Sequence, residues 1–162
     1  MKILYLVRHS KSSWKDSAIP DFDRPLSKRG INDAPLIGKV LAHKNIKVDL
    51  IISSPAKRTR QTAEIIAEKI KYKKDVKFDK DLYEADVFEI IAIIKEVDES
   101  IDDLMIVGHN PGLTDVLNYV TNSNIDNIPT CGVAKLEFNN RWKDIKEHST
   151  KLTDFIYPKM FK

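Results

Sequence analysis

The stretch Met1-Lys2-Ile3-Leu4-Tyr5-Leu6-Val7-Arg8-His9-Ser10 opens the chain with an apolar run that stops on a cation and an imidazole. Five consecutive apolar residues, 3–7, suit a short strand covered on both faces, because a strand with one wet face alternates instead. Arg8 and His9 then stand where that strand leaves its sheet. In open α/β sheets ligands collect in the crevice beyond the carboxyl ends of the strands, so the place is as informative as the residue types. The stretch alone leaves two readings open: a ligand site, or an arginine capping a neighbouring helix beside a hydrogen-bonded turn histidine.

Working outward, two more buried runs end in a similar way. Residues 48–52 lead into Ser53, Ser54 and Pro55, and residues 104–107 lead into Gly108-His109-Asn110-Pro111-Gly112. Ser54 suits an N-cap and Pro55 a first helical position, so a helix is expected over 55–70 with Ala63, Ile66, Ala67 and Ile70 as its buried stripe. Arg58 falls in or beside its first turn. Asn110 as cap and Pro111 as first residue start another helix, which runs to about residue 120. Residues 11–24 lack apolar periodicity and lead through Pro20 to Pro25, the signature of a loop. Trp14 and Phe22 in that loop are expected to anchor it on the core, with contact to substrate as the other reading. Ser27 offers a further cap, and Ile37, Val40 and Leu41 have helical spacing. Because proline is tolerated in a first turn, Pro35 places that helix over about 33–43. Asp86 caps a helix carrying Val87, Ile90, Ile91 and Ile94, with Glu84 just before it. Short strands are expected at 77–79, at 133–138 with Lys135 and Glu137 on an exposed face, and at 151–157.

Composition narrows the class. A chain of 162 residues fits one domain with one substantial core, so residues 1–162 are read as a single α/β domain. A net charge of +3, with its lysines dispersed, does not argue for nucleic acid but suits an anionic substrate. No signal-peptide pattern or membrane-length apolar stretch is present, so a cytoplasmic setting without a membrane partner is expected. Cys131 is the single cysteine, which excludes an intrachain disulfide and a thiolate metal cluster.

Three strand exits thus offer Arg8 with His9, Arg58, and His109. Gathered at one sheet edge they would make a concentrated anion site, with arginine forks and helix N-termini suited to phosphate. No acidic cluster accompanies the histidines, no Walker pattern is present, and Cys131 lacks the arginine spacing of a cysteine phosphatase loop. Histidine is left as the nucleophile, since a neutral imidazole can attack phosphorus and form a covalent phosphohistidine. Glu84 is the candidate proton donor by position; a solvated carboxylate at a helix entry is the other reading.

The ordered set Leu6-Val7-Arg8-His9, Asp23-Arg24-Pro25-Leu26-Ser27 through Gly30, Ser53-Ser54-Pro55-Ala56-Lys57-Arg58 with Gln61-Thr62-Ala63-Glu64, Leu82-Tyr83-Glu84, Val107-Gly108-His109-Asn110-Pro111-Gly112, and Pro129-Thr130 resembles the histidine phosphatase superfamily, and within it the small SixA-type phosphohistidine phosphatases. The resemblance implies a three-layer sandwich of phosphoglycerate mutase-like type, with a mixed, mainly parallel sheet between helices, and no metal or organic cofactor. It gives His9 the role of phosphorylated nucleophile and makes Arg8, Arg58 and His109 the rest of the phosphate pocket. Arg24 matches a basic position that either contacts substrate or braces its loop. Two departures stand out: Ser10 replaces the usual glycine and is expected to add a donor near the substrate, and Lys15 stands where larger relatives place a phosphate-contacting asparagine. The short chain implies an open site for a phosphorylated protein side chain. A small phosphate ester is the alternative substrate, and a phosphate-binding module without turnover is a third reading.

Overall fold

The computed structural model describes residues 1–162. Six strands, β1 (Lys2–Arg8), β2 (Leu50–Ser53), β3 (Lys77–Phe78), β4 (Asp103–Gly108), β5 (Val133–Phe138) and β6 (Lys151–Ile156), form one sheet in the order β3-β2-β4-β1-β5-β6. Strands β3, β2, β4 and β1 run parallel, and β5 runs antiparallel to both its neighbours, β1 and β6, so the sheet is mixed as the resemblance implied. β1 lies where the sheet changes direction, pairing parallel with β4 on one side and antiparallel with β5 on the other.

The period of two in β1 builds both cores. Leu4 and Leu6 enter a cluster with Ile90, Ile94, Leu113 and Leu117, while Tyr5 and Val7 enter the opposite cluster with Ile37, Leu41, Ala63 and Ile66. Helices α1 (Lys28–His43) and α2 (Lys57–Lys69) therefore cover one face, and α3 (Val87–Lys95) and α4 (Gly112–Val120) the other. No helix is long and apolar enough to cross a membrane.

Three element boundaries differ from the sequence reading. Helix α1 begins at Lys28, capped by Ser27, and Pro35 lies inside it. The carbonyl that Pro35 leaves without its usual donor belongs to Ile31, which is exposed, and the buried stripe Gly30, Asp33, Ala34, Ile37, Gly38 and Leu41 continues on both sides of the proline. Packing along that stripe holds the helix together. Helix α2 starts two residues later than expected, with Ala56 at the N-cap position; the Ser54 hydroxyl accepts from the Ala56 backbone N–H at 3.3 Å and also lies 2.8 Å from His109 Nε2. Helix α4 begins at Gly112, and Asn110 serves it from one position further out, its Oδ1 accepting from the Thr114 backbone N–H at 3.2 Å. Asp86 caps α3 as expected, within a reciprocal capping box with Glu89.

Candidate active site

Parallel strands β1, β2 and β4 are neighbours in the sheet, so the segments leaving their carboxyl ends meet. Arg8 and His9 come from β1, Arg58 from the first turn of α2 after β2, and His109 from the turn between β4 and α4. The loop after β1 folds over them. Together Arg8, His9, Trp14, Arg24, Arg58 and His109 line a polar cavity of about 230 Å³. A larger hollow of about 560 Å³ lies at the far end of the sheet, between the C-terminal ends of α1 and α2, with lysines on its rim and neither histidine nor arginine in it. Size therefore does not mark the site; the convergence of cations and imidazoles does.

His9 is buried and held in one orientation. Its Nδ1 lies 2.7 Å from the Ser10 carbonyl oxygen. A carbonyl can only accept, so Nδ1 carries the proton and Nε2 keeps a free lone pair. The backbone around it is pinned on three sides: His9 N–H donates to Gly108 O at 3.1 Å, Cys131 N–H donates to His9 O at 3.0 Å, and Ser10 N–H donates to Thr62 Oγ1 at 2.9 Å. Burial lowers the His9 pKa to about 4, assisted by the nearby Arg58, Arg8 and Arg24 charges, with the Ser10 hydrogen bond acting the other way. The imidazole is neutral at physiological pH.

His109 stands with its ring centroid 5.4 Å from that of His9, and its Nε2 is 2.8 Å from Ser54 Oγ. Burial first, then His9 and Arg58, lower its pKa to about 3. Three buried side-chain polar atoms have no partner in the whole chain: Arg8 Nε, Arg58 Nε and His109 Nδ1. Buried polar groups are nearly always paired, so three orphans on residues of one cavity point to a polar ligand that completes them.

Asp21 organises the cover. Its backbone carbonyl accepts from Arg58 NH1 at 2.7 Å, its Oδ2 accepts from Arg58 NH2 at 3.1 Å and from the Tyr83 hydroxyl at 2.6 Å, and its Oδ1 pairs with Arg24. The Tyr83 hydrogen bond, and then the two arginines, hold the Asp21 carboxyl down at about 2 against some desolvation. Arg24 also donates to Ser12 Oγ at 2.8 Å and Ser13 O at 3.2 Å, and its guanidinium lies 3.4 Å from the Trp14 ring centroid. Arg24 thus braces the loop and lines the cavity at once.

The expectations for Ser10, Trp14 and Phe22 are corrected. Ser10 is fully buried and outside the cavity lining; its hydroxyl donates to Gly30 O at 2.9 Å, which fastens the turn after His9 to the start of α1 and leaves no donor for a ligand in the cavity. Trp14 does not anchor the loop on the core: it is 69% exposed at the cavity rim. Phe22 is also exposed, with its ring edge-on to Tyr83 at 5.1 Å. Glu84 is exposed, adopts a left-handed backbone with φ 59°, and lies outside the lining of the cavity. Lys15 is exposed as well. Sequence reasoning missed Asp21, Thr62 and the Ser54–His109 contact. Asp21 is one of three acids in its loop, with Asp16 and Asp23, and nothing in their spacing singles it out. Tyr83 was visible only as the neighbour of Glu84.

Comparison with known proteins follows the same lines. Residues 4–106 match the model of the histidine phosphatase superfamily (branch 1). An uncharacterised protein of Mycobacterium tuberculosis is 31% identical over 163 residues, a match covering 94% of this chain and 100% of that protein. A chloroplastic protein of Arabidopsis thaliana, also uncharacterised, is 32% identical over 152 residues, covering 87% of this chain and 69% of its own. Among solved structures, a candidate phosphohistidine phosphatase SixA from Agrobacterium tumefaciens superposes with a TM-score of 0.83 at 28% identity, covering 97% of this chain and 98% of that one. The protein histidine phosphatase SixA complexed with tungstate superposes with a TM-score of 0.85 and covers 99% of both chains; at 16% identity it speaks for the fold alone.

Proposed function

Because this chain belongs to the histidine phosphatase superfamily and is a phosphohydrolase, we propose that His9 is its nucleophile and that its substrate is phosphohistidine carried by a protein, with residues 1–162 acting as one catalytic domain. The observation that carries the reading is the fixed tautomer of His9. Its Nδ1 proton is committed to the Ser10 carbonyl, which leaves the Nε2 lone pair free to attack in a cavity walled by cations.

In the first step Nε2 forms a bond to phosphorus as the P–N bond to the substrate ring breaks, and the electron pair departs with that ring, which leaves as neutral imidazole because its other nitrogen already carries a proton. Arg8 and Arg58, with the unpaired Nδ1 of His109, receive the equatorial oxygens as their charge redistributes. In the second step water attacks the phosphoryl group on His9, the P–N bond breaks, and inorganic phosphate leaves. Arg24 contacts the substrate from the loop side.

The exposed position of Glu84 favours a leaving group that needs little help from a protein acid. An imidazole departs more readily than an alkoxide, so phosphohistidine fits this cavity better than an alkyl ester does. The free Nε2 likewise has no purpose in a module that only binds phosphate.

The test is covalent trapping. Brief exposure to isotopically labelled phosphohistidine substrate, followed by alkaline quench and peptide mapping, is expected to place acid-labile label on His9. His9→Ala should lose turnover by at least about a thousandfold, the scale of a nucleophile's contribution. Retained turnover, or label on another residue, overturns the assignment.

A further inference from the structure

The cavity holds about 230 Å³, which is less than the roughly 300 Å³ at which pockets for whole small-molecule ligands begin. A phosphoryl group occupies the part of it between Arg8, Arg58 and His109, and the remainder is too small to enclose a whole ligand, so the group to which the phosphoryl is attached reaches the rim. What stands at the rim is an indole. Trp14 lines the cavity yet is 69% exposed, an unusual cost for so large an apolar ring.

That indole is not loose. The Arg24 guanidinium covers one face at 3.4 Å, and Arg24 is itself buried and fixed by Ser12, the Ser13 carbonyl and Asp21. A fixed cation on one face sets the ring's plane while the rest of the indole stays open, an arrangement that costs little further ordering when a second flat group arrives. A second series of rings leads outward from the same centre. His9 meets His109 at 5.4 Å, His109 meets Tyr83 at 5.6 Å, and Tyr83 meets the exposed Phe22 at 5.1 Å. Tyr83 and Phe22 stand outside the cavity lining, so Trp14 is the one ring at the rim that the hydrolytic chemistry itself does not use.

We propose that Trp14, set in plane by Arg24, forms a leaving-group subsite that stacks a planar ring, so that this enzyme selects phosphorylated imidazole or phenol rings over phosphorylated alkyl alcohols. The inference rests on the reading of the cavity as the phosphoryl site and adds the class of group attached to it. Offset stacking on an aromatic face contributes enough for about a fivefold to tenfold preference in binding.

The test uses two inert probes, phenylphosphonate and methylphosphonate, with binding to the full chain followed by calorimetry. Trp142, the other tryptophan, is fully buried, so quenching by the neutral quencher acrylamide reports mainly on Trp14. Phenylphosphonate is expected to shield the exposed indole, and methylphosphonate to bind without shielding it. Trp14→Leu should weaken phenylphosphonate about fivefold to tenfold relative to methylphosphonate, and Trp14→Phe should restore most of that difference. Equal shielding by both probes overturns the subsite, as does equal weakening of both by Trp14→Leu, which would mean that the indole acts only by bracing Arg24. If neither probe binds, the reading of the cavity as a phosphoryl site fails and takes the subsite with it; methylphosphonate bound without any preference for the phenyl ring removes the subsite alone.

Discussion

Two buried neutral imidazoles in one cavity should make this fold sensitive to mild acid in a way that can be assigned to them. The native pKa values are about 4 for His9 and about 3 for His109, both held down chiefly by burial. In the unfolded chain each returns to about 6.5. Below that value the unfolded chain binds protons that the native state refuses, so stability falls as pH falls and stops falling only near the native values. At pH 5 each histidine lies about 1.5 pH units below its unfolded pKa, at 1.36 kcal/mol per unit. The loss is about 2 kcal/mol per ring and about 4 kcal/mol for the pair. Replacing both, as His9→Asn with His109→Asn, removes this component and leaves every carboxylate and the remaining His43 and His148 as they were. The assay is urea unfolding of both proteins at pH 7.5 and pH 5.0, comparing the change in unfolding free energy. The parent chain is expected to lose about 4 kcal/mol more than the double variant over that interval. Losses that agree within about 1 kcal/mol would show that at pH 5 the two rings take up protons in the folded state as they do in the unfolded chain, and would refute the account that burial holds them neutral.

Other consequences are simpler to read. Ser10→Gly removes the buried hydrogen bond to Gly30 but keeps both backbone contacts that orient His9, so it should cost about 1–2 kcal/mol in chemical denaturation with the effect on stability exceeding that on kcat. Gly30→Ala would place a methyl group 2.1 Å from the Lys11 carbonyl oxygen, and a loss of about 1–3 kcal/mol with displacement of the cavity's cover is expected from the melting temperature and from KM. Glu84→Gln should leave phosphohistidine turnover within about twofold; if the carboxyl does move to protonate esters, ester turnover alone should fall, by the ~10²-fold that a positioned acid contributes.

How far the sequence could be read depended on the range of the forces involved. The apolar run 3–7, the exits at Ser53 and Gly108, and the Asp86 cap are local patterns, and each reappears in the folded chain close to where it was expected. Pro35 misled because a proline's cost is local, whereas the stripe from Gly30 to Leu41 that outweighs it is a property of the whole helix against the sheet. Ser54 misled for the opposite reason. Its spacing before a helix suited a cap, and its hydroxyl does accept from the Ala56 backbone N–H, but it also meets His109, 55 residues on, and the helix begins only at Lys57. Ser10 and Trp14 exchanged expected roles: the small polar residue went inside to fasten a turn, and the large apolar one stayed outside. Only the placement of Arg24 and Gly30 decides which residue faces which way, and both are contacts across the loop.

The position of β1 between a parallel and an antiparallel neighbour also bears on motion. Both edges of that strand are hydrogen-bonded along its length, so its amides should be among the last in the molecule to exchange with heavy water. His9 is attached directly to its end, whereas Trp14 and Phe22 ride on a loop held mainly by the side chains of Arg24, Arg58 and Tyr83. Slow and fast opening are therefore divided within one site. His9 is tied to the part of the fold that opens last, and opening of the loop carries Trp14 together with the Arg24 that braces it, without disturbing His9.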